Sequence, residues 1–319
     1  MMIKTSLPWR TTLIGKQVQR KADLVEETKD FTKLRKDRID LQNSLIGQWI
    51  FGKVDPRIEV IERTEPLDGV PTRVLIYRPK KLTTERPGLL FFHGGGWVLG
   101  RPEQTGWLCA KLAADLNITV VAPSYRLAPE NRFPAAIDDA WAALVWMERH
   151  KKELGITSYA IGGDSAGGNL AAAVALKCRD ESQFKISGQV LVYPAVEMYE
   201  VFESEKENAD AFVLTSAAMR AFVKLYLGDS YGTEDHLASP IRAEHHKDLP
   251  PAIILTAGHD PLLDNGIKYK EVLEESGVEV VWHHEPGTVH GFMSLPGACP
   301  QAKSGFKAIE SFLAERLEA

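Results

Sequence analysis

Gly162-Gly163-Asp164-Ser165-Ala166-Gly167-Gly168 is the stretch on which the reading of this chain turns. Tyr159-Ala160-Ile161 precedes it and reads as a strand, and the alanine-rich run 169–179 follows it and reads as a helix. Residues 163–167 match G-x-S-x-G. In that context the serine sits on a tight strand-to-helix turn where a flanking Cβ would clash. The start of the following helix offers free N–H groups and the positive end of its dipole to a developing negative charge. A glycine-rich turn with an incidental serine could carry the same letters, but the strand before and the helix after point to a nucleophile on an elbow.

Outward from this turn, strands and helices alternate. Residues 58–61, 73–77, 89–92, 118–122, 189–193, 253–256 and 278–282 read as further strands, and 103–116, 135–152, 261–276 and 303–317 as helices. Leu89-Leu90-Phe91-Phe92 is apolar without interruption, as a strand covered on both faces should be. The rhythm predicts an α/β fold, a mostly parallel sheet with helices on both sides. Two segments break it. Residues 18–49 are charged apart from a stripe of Leu24, Phe31, Leu34, Leu41 and Leu45, which predicts a surface helix docked on a core. Residues 196–233 hold no strand, and 215–227 read as a helix. The expected organisation is an N-terminal helical cap segment over 1–54 and a catalytic domain over 55–319, with a cap insertion at about 196–233.

Composition narrows the classes. The chain has 319 residues, 44% hydrophobic and 25% charged, enough to bury a sizeable core and too apolar for disorder. Its 38 basic and 43 acidic residues give a net charge of −5 with no basic stripe, so a nucleic-acid partner is not expected. Cys109, Cys178 and Cys299 are too scattered for a disulfide framework or a zinc site and read as small buried residues. His245-His246 and His283-His284 are poor metal pairs, because neighbours in a strand point to opposite faces, and no H-E-x-x-H accompanies them. No metal or cofactor is therefore expected. Neither glycine run fits a nucleotide-binding pattern. The N-terminal residues lack the apolar run of a signal peptide and no stretch reaches membrane-span length, so the expectation is a cytoplasmic protein without a membrane span.

Three further elements complete the candidate site. His93-Gly94-Gly95-Gly96-Trp97 follows the strand 89–92, and three glycines let backbone N–H groups come close to a ligand. Asp260 follows the strand 253–256, and His290 the strand 278–282. Ser165, Asp260 and His290 thus stand in the order serine, acid, histidine, each beyond a different strand, where ligands gather in open α/β sheets. Asp264 rivals Asp260, but it falls in the first turn of the next helix, where its simpler part is to stabilise the helix dipole.

Together, His93-Gly-Gly-Gly-Trp97, Tyr125-Arg-Leu-Ala-Pro-Glu130, Gly163-Asp-Ser-Ala-Gly-Gly168, Asp260-Pro-Leu-Leu-Asp264 and His290-Gly-Phe292 resemble the hormone-sensitive-lipase branch of the α/β-hydrolases, over about residues 55–319. The resemblance implies a capped carboxylesterase of bacterial type with Ser165 as nucleophile, Asp260 as acid and His290 as base. It implies the N–H groups of Gly95, Gly96 and Ala166 as oxyanion donors, and cis peptides as candidates at Ala128-Pro129 and Phe133-Pro134. It favours a small-molecule ester with a short to medium acyl chain, and its members often form homodimers. Trp97, Phe212, Leu214 and Phe292, apolar and close to catalytic or cap segments, are the candidate pocket residues. Two other functions remain open: an amide or lactone hydrolase with the same three residues, and a non-catalytic small-molecule-binding protein like the plant gibberellin receptors. Those receptors resemble the family but lack the histidine that His290 supplies here.

Overall fold

The computed structural model describes residues 5–28, 30–81, 85–181 and 184–317. Eight strands make one sheet: β1 (Ile58–Leu67), β2 (Val70–Pro79), β3 (Arg86–Phe92), β4 (Thr119–Pro123), β5 (Ile156–Asp164), β6 (Gln189–Val192), β7 (Ala252–His259) and β8 (Val280–Val289). Their order across the sheet is β1-β2-β4-β3-β5-β6-β7-β8. β1 and β2 form an antiparallel hairpin and β2 runs antiparallel to β4. From β4 through β8 every pairing is parallel. The loops after β3, β5, β7 and β8 therefore open on one edge of the sheet.

The helices are α1 (Trp9–Glu27), α2 (Phe31–Asn43), α3 (Leu45–Phe51), α4 (Gly106–Leu116), α5 (Ala135–Arg149), α6 (Lys151–Leu154), α7 (Ala166–Glu181), α8 (Glu203–Glu207), α9 (Ser216–Leu227), α10 (Leu263–Glu275) and α11 (Ala302–Leu317). They cover both faces of the sheet, and two apolar clusters fill the spaces. One gathers Leu90, Phe92 and Ile161 with the alanine-rich α7 and α5. The other gathers Leu89, Phe91 and Val190 with α4 and α11. β3 alternates between the two, as period-two geometry requires of a strand covered on both sides. Cys109, Cys178 and Cys299 are all buried, and none is in a disulfide. No helix among the described residues is long and apolar enough to cross a membrane.

The single helix expected over 18–49 is instead divided among α1, α2 and α3. Asp30 caps α2 by accepting the Lys33 N–H, and Ser44 caps α3 by accepting the Gly47 N–H. Such side chains compete with the helix backbone and start new helices. Leu34 is buried, Leu41 and Phe31 are half-buried, and Leu45 is 85% exposed; the Leu24 side chain lies outside the described residues. The strand expected at 278–282 runs on to Val289 as β8. Glu285-Pro286-Gly287 lacks an apolar pattern, and Pro286 to Thr288 have no rung partner, but the rungs Ala257–Glu285 and His259–Val289 on either side hold them in the strand. Between 196 and 233 the chain forms α8 and α9, and α1 packs against α9.

Candidate active site

The turn between β5 and α7 holds Ser165 at φ +55°, a left-handed conformation that a side chain adopts only when its surroundings impose it. Ser165 N–H donates to the Val192 carbonyl at 2.8 Å, which clamps the turn to the end of β6. The two glycines of the motif answer to backbone crowding. A Cβ on Gly163 would lie 2.2 Å from the Gly167 carbonyl oxygen, and one on Gly167 would lie 2.1 Å from that of Phe92. The elbow can therefore form against β3 only with glycine at both places.

β7 and β8 bring the other two residues to it. The last paired rung between these strands joins His259 to Val289. Asp260 and His290 are each the next residue, so the sheet register itself sets them side by side. His290 Nδ1 lies 2.8 Å from Asp260 Oδ2, and His290 Nε2 lies 2.9 Å from Ser165 Oγ. A carboxylate can only accept, so Nδ1 carries the proton and Nε2 offers its lone pair to the Ser165 hydroxyl. Asp260 is fully buried, and the Leu262 N–H donates to its Oδ1 at 2.8 Å. The Tyr193 ring flanks His290 with centroids 4.7 Å apart. Asp264, the rival acid, stands in the first turn of α10 and accepts the Ser204 N–H at 2.8 Å. It joins α10 to α8.

The glycine loop after β3 lies beside this chain of contacts. Gly95 and Gly96 have φ of +119° and +62°, and both line the same cavity as Ser165, Ala166 and His290. A Cβ on Gly95 would meet the Leu99 carbonyl oxygen at 2.2 Å; one on Gly96 would meet the Phe222 ring at 2.4 Å. Gly94 N–H donates to Asp164 at 2.7 Å. His93 stacks on Tyr125 at 4.3 Å, and the Tyr125 hydroxyl donates to the His93 carbonyl at 2.8 Å. Burial pulls the His93 pKa down to about 4, so this ring is a neutral support for the loop at neutral pH. The peptides Ala128-Pro129 and Phe133-Pro134 are both cis.

Of the four apolar candidates, Trp97 and Leu214 line the cavity and Phe212 and Phe292 do not. Trp97 is held flat on Tyr226 of α9, with ring centroids 4.5 Å apart. Phe292 is fully buried, because the turn after Gly291 folds its ring under Tyr193. Phe212 packs on α1, close enough that a Cβ on Gly15 would lie 2.8 Å from its own Cβ. The sequence did not single out the rest of the wall. Val18 comes from α1, Arg35, Arg38 and Gln42 from α2, and Met219, Phe222 and Val223 from α9. On α2 the positions 35, 38 and 42 share a face, a spacing that the apolar count over this segment passed over because these side chains are polar.

Among the described residues no group of three or more histidine, cysteine, aspartate or glutamate side chains could hold a metal ion. His283 contacts Glu285 and His284 contacts Thr256, on opposite sides of β8.

The fold has counterparts among known proteins. A family described as alpha/beta hydrolase fold matches residues 89–294. The esterase LipI of Mycobacterium tuberculosis is 40% identical over 255 residues, covering 78% of this chain and 79% of the relative. The arylesterase of Saccharolobus solfataricus is 36% identical over 285 residues, covering 88% of this chain and 90% of that one. The crystal structure of a thermostable esterase from Pseudomonas putida superposes with a TM-score of 0.87 at 31% identity over 99% of both chains. With its sheet order, its elbow and its relatives in agreement, the chain belongs to the α/β-hydrolase family, in the branch like hormone-sensitive lipase to which its motifs point.

Proposed function

We propose that this protein is a serine carboxylesterase acting on small-molecule esters of short to medium acyl chain length. The observation that carries the reading is the continuous contact from Ser165 Oγ through His290 to Asp260, at 2.9 and 2.8 Å. Similar proteins named as esterases support it.

Ser165 Oγ attacks the ester carbonyl carbon while His290 Nε2 takes the hydroxyl proton. Asp260 holds the imidazole in the required tautomer and offsets the charge it gains. The N–H groups of Gly95, Gly96 and Ala166 stabilise the oxygen that becomes negative. His290 returns the proton to the leaving alkoxide, and an acyl group remains on Ser165. Water then attacks that acyl carbon, gives its proton to His290, and releases the carboxylic acid with Ser165 restored. Trp97 and Leu214 bound the acyl group, and residues 1–54 with 196–233 act as a two-part cap over the domain 55–319.

A p-nitrophenyl ester series tests this directly. Turnover should peak below about twelve acyl carbons and fall by several powers of ten in Ser165→Ala and His290→Ala. A peak at longer chains contradicts the acyl preference. Near-normal turnover in either variant contradicts the mechanism.

A further inference from the structure

The cavity wall carries several charged side chains, and nearly all are answered within the protein. Arg35 pairs with Glu130 at 2.7 Å, Arg101 with Glu103 at 2.7 Å, and Glu197 with Arg242 at 2.7 Å. Arg220 pairs with Glu205, and Asp164 accepts hydrogen bonds from Gly94 and Ser294. Arg38 is the exception. It lines the cavity and is half-buried, yet it makes no ion pair and no hydrogen bond among the described residues. It lies three residues after Arg35 and four before Gln42 on α2, and all three line the cavity, so this face of the helix turns inward.

An unanswered cation drawn partly out of water is costly, and a guanidinium cannot escape that cost by losing its proton. Burial indeed lowers the Arg38 pKa below its ordinary value, with no anion to raise it. The cost is relieved when an anion enters the cavity. Ser165 and His290 line the same cavity, so an anion that reached Arg38 would do so as part of the molecule being cleaved. A guanidinium fork matches a carboxylate in a planar two-bond contact, and the single unanswered positive charge balances a monoanion. Gln42, one turn further along the same face, adds a neutral amide donor.

We propose that Arg38 is a specificity-determining residue that selects esters bearing a carboxylate on one limb. The inference rests on the ester-hydrolase reading and names the substrate class for it. The carboxylate belongs either to the acyl limb, as in a half-ester of a dicarboxylic acid, or to the alcohol limb, as in an acylated hydroxy acid.

The test measures kcat/KM by proton release for two matched pairs. Ethyl hydrogen adipate against ethyl heptanoate probes the acyl limb, and 6-acetoxyhexanoate against heptyl acetate probes the alcohol limb. The readout is the charged-to-neutral ratio within each pair, in which any loss of folded enzyme cancels. Arg38→Met should lower that ratio by about ten- to a hundred-fold in the pair whose carboxylate reaches position 38, as expected for a lost charged hydrogen bond. Arg38→Lys, which keeps the charge and loses the fork, should give a ratio between those of wild type and Arg38→Met. The affected pair identifies the limb. Equal ratios in wild type and Arg38→Met, in both pairs, overturn the inference while leaving the esterase reading intact. No turnover of any of the four esters by the wild type overturns the esterase reading and this inference with it.

Discussion

Gly94 donates its N–H to Asp164 Oδ1 at 2.7 Å, which ties the glycine loop after β3 to the residue just before Ser165. Ser294 donates its hydroxyl to the other carboxylate oxygen at 3.2 Å. One buried aspartate thus fastens the loop proposed to hold the oxyanion, the Ser165 turn and the segment after His290 to one another. Because Asp164 is only 2% exposed, its ionised form is held in a poor solvent, and burial pushes its pKa up from 3.8 to about 6.

That shift has a consequence for stability. Between pH 3.8 and about 6 the folded protein binds more of this proton than the unfolded chain does, so stability falls as pH rises through the window. Above it the Asp164 charge costs roughly 3 kcal/mol. Asp164→Asn keeps an acceptor for Gly94 and can donate its amide to Ser294 Oγ, so it removes the titration while retaining the contacts. Denaturant unfolding should therefore show the stability of the variant relative to wild type rising from about pH 4 to about pH 6 by up to roughly 3 kcal/mol. A difference that does not change with pH would contradict this origin of the shift.

Gly95 and Gly96 should respond differently to the same substitution. The Cβ of Gly95→Ala would meet the Leu99 backbone, which cannot give way, whereas that of Gly96→Ala would meet the Phe222 ring on α9. Both variants should lose esterase activity, on the order of a hundred-fold if one donor to the oxyanion is displaced. Phe222→Ala should recover part of the Gly96→Ala loss and none of the Gly95→Ala loss. Steady-state kinetics on the four variants would read this, and equal recovery of both would show that the ring contact is not the obstacle.

Asp260 and Asp264 separate in the same way. Asp260→Asn removes the acceptor facing His290 Nδ1 at 2.8 Å and should lower kcat by about four powers of ten, as the wrong imidazole tautomer does in other serine triads. Asp264→Asn loses only the charged contact to the Ser204 N–H and part of its interaction with the start of α10. It should cost about 1 kcal/mol of stability and leave kcat within a few-fold. The reverse pattern would move the acid to Asp264.

The candidate site was legible because three of its parts follow a strand with an apolar core. Leu89–Phe92, Tyr159–Ile161 and Ile253–Thr256 announce their strands by composition, and the residue that matters lies just past the end. The end of β8 was less legible. One residue of β7, Gly258 between Ala257 and His259, opposes three of β8, Pro286 to Thr288 between Glu285 and Val289, and this irregularity carries the strand through Pro286 and Gly287. Period-two patterning does not reveal such a step, although the order serine, acid, histidine along the chain still points to His290. The division of the N-terminal helix was written in Asp30 and Ser44 as N-caps, and a reading by apolar stripe passed over them. The cavity wall was the least legible. Which side of α2 faces Ser165 depends on how the helix docks, a long-range matter, and that docking turns Arg35, Arg38 and Gln42 inward.

The most direct test of the central claim is intact-protein mass spectrometry after treatment with a fluorophosphonate, followed by sequencing of the labelled peptide. An activated Ser165 displaces fluoride to form one covalent phosphonyl adduct, so a single adduct on Ser165 is the result predicted, absent from Ser165→Ala and strongly slowed in His290→Ala. Absence of an adduct under conditions that label a control esterase, or an adduct on another residue, would contradict the claim that Ser165 is the nucleophile of this protein.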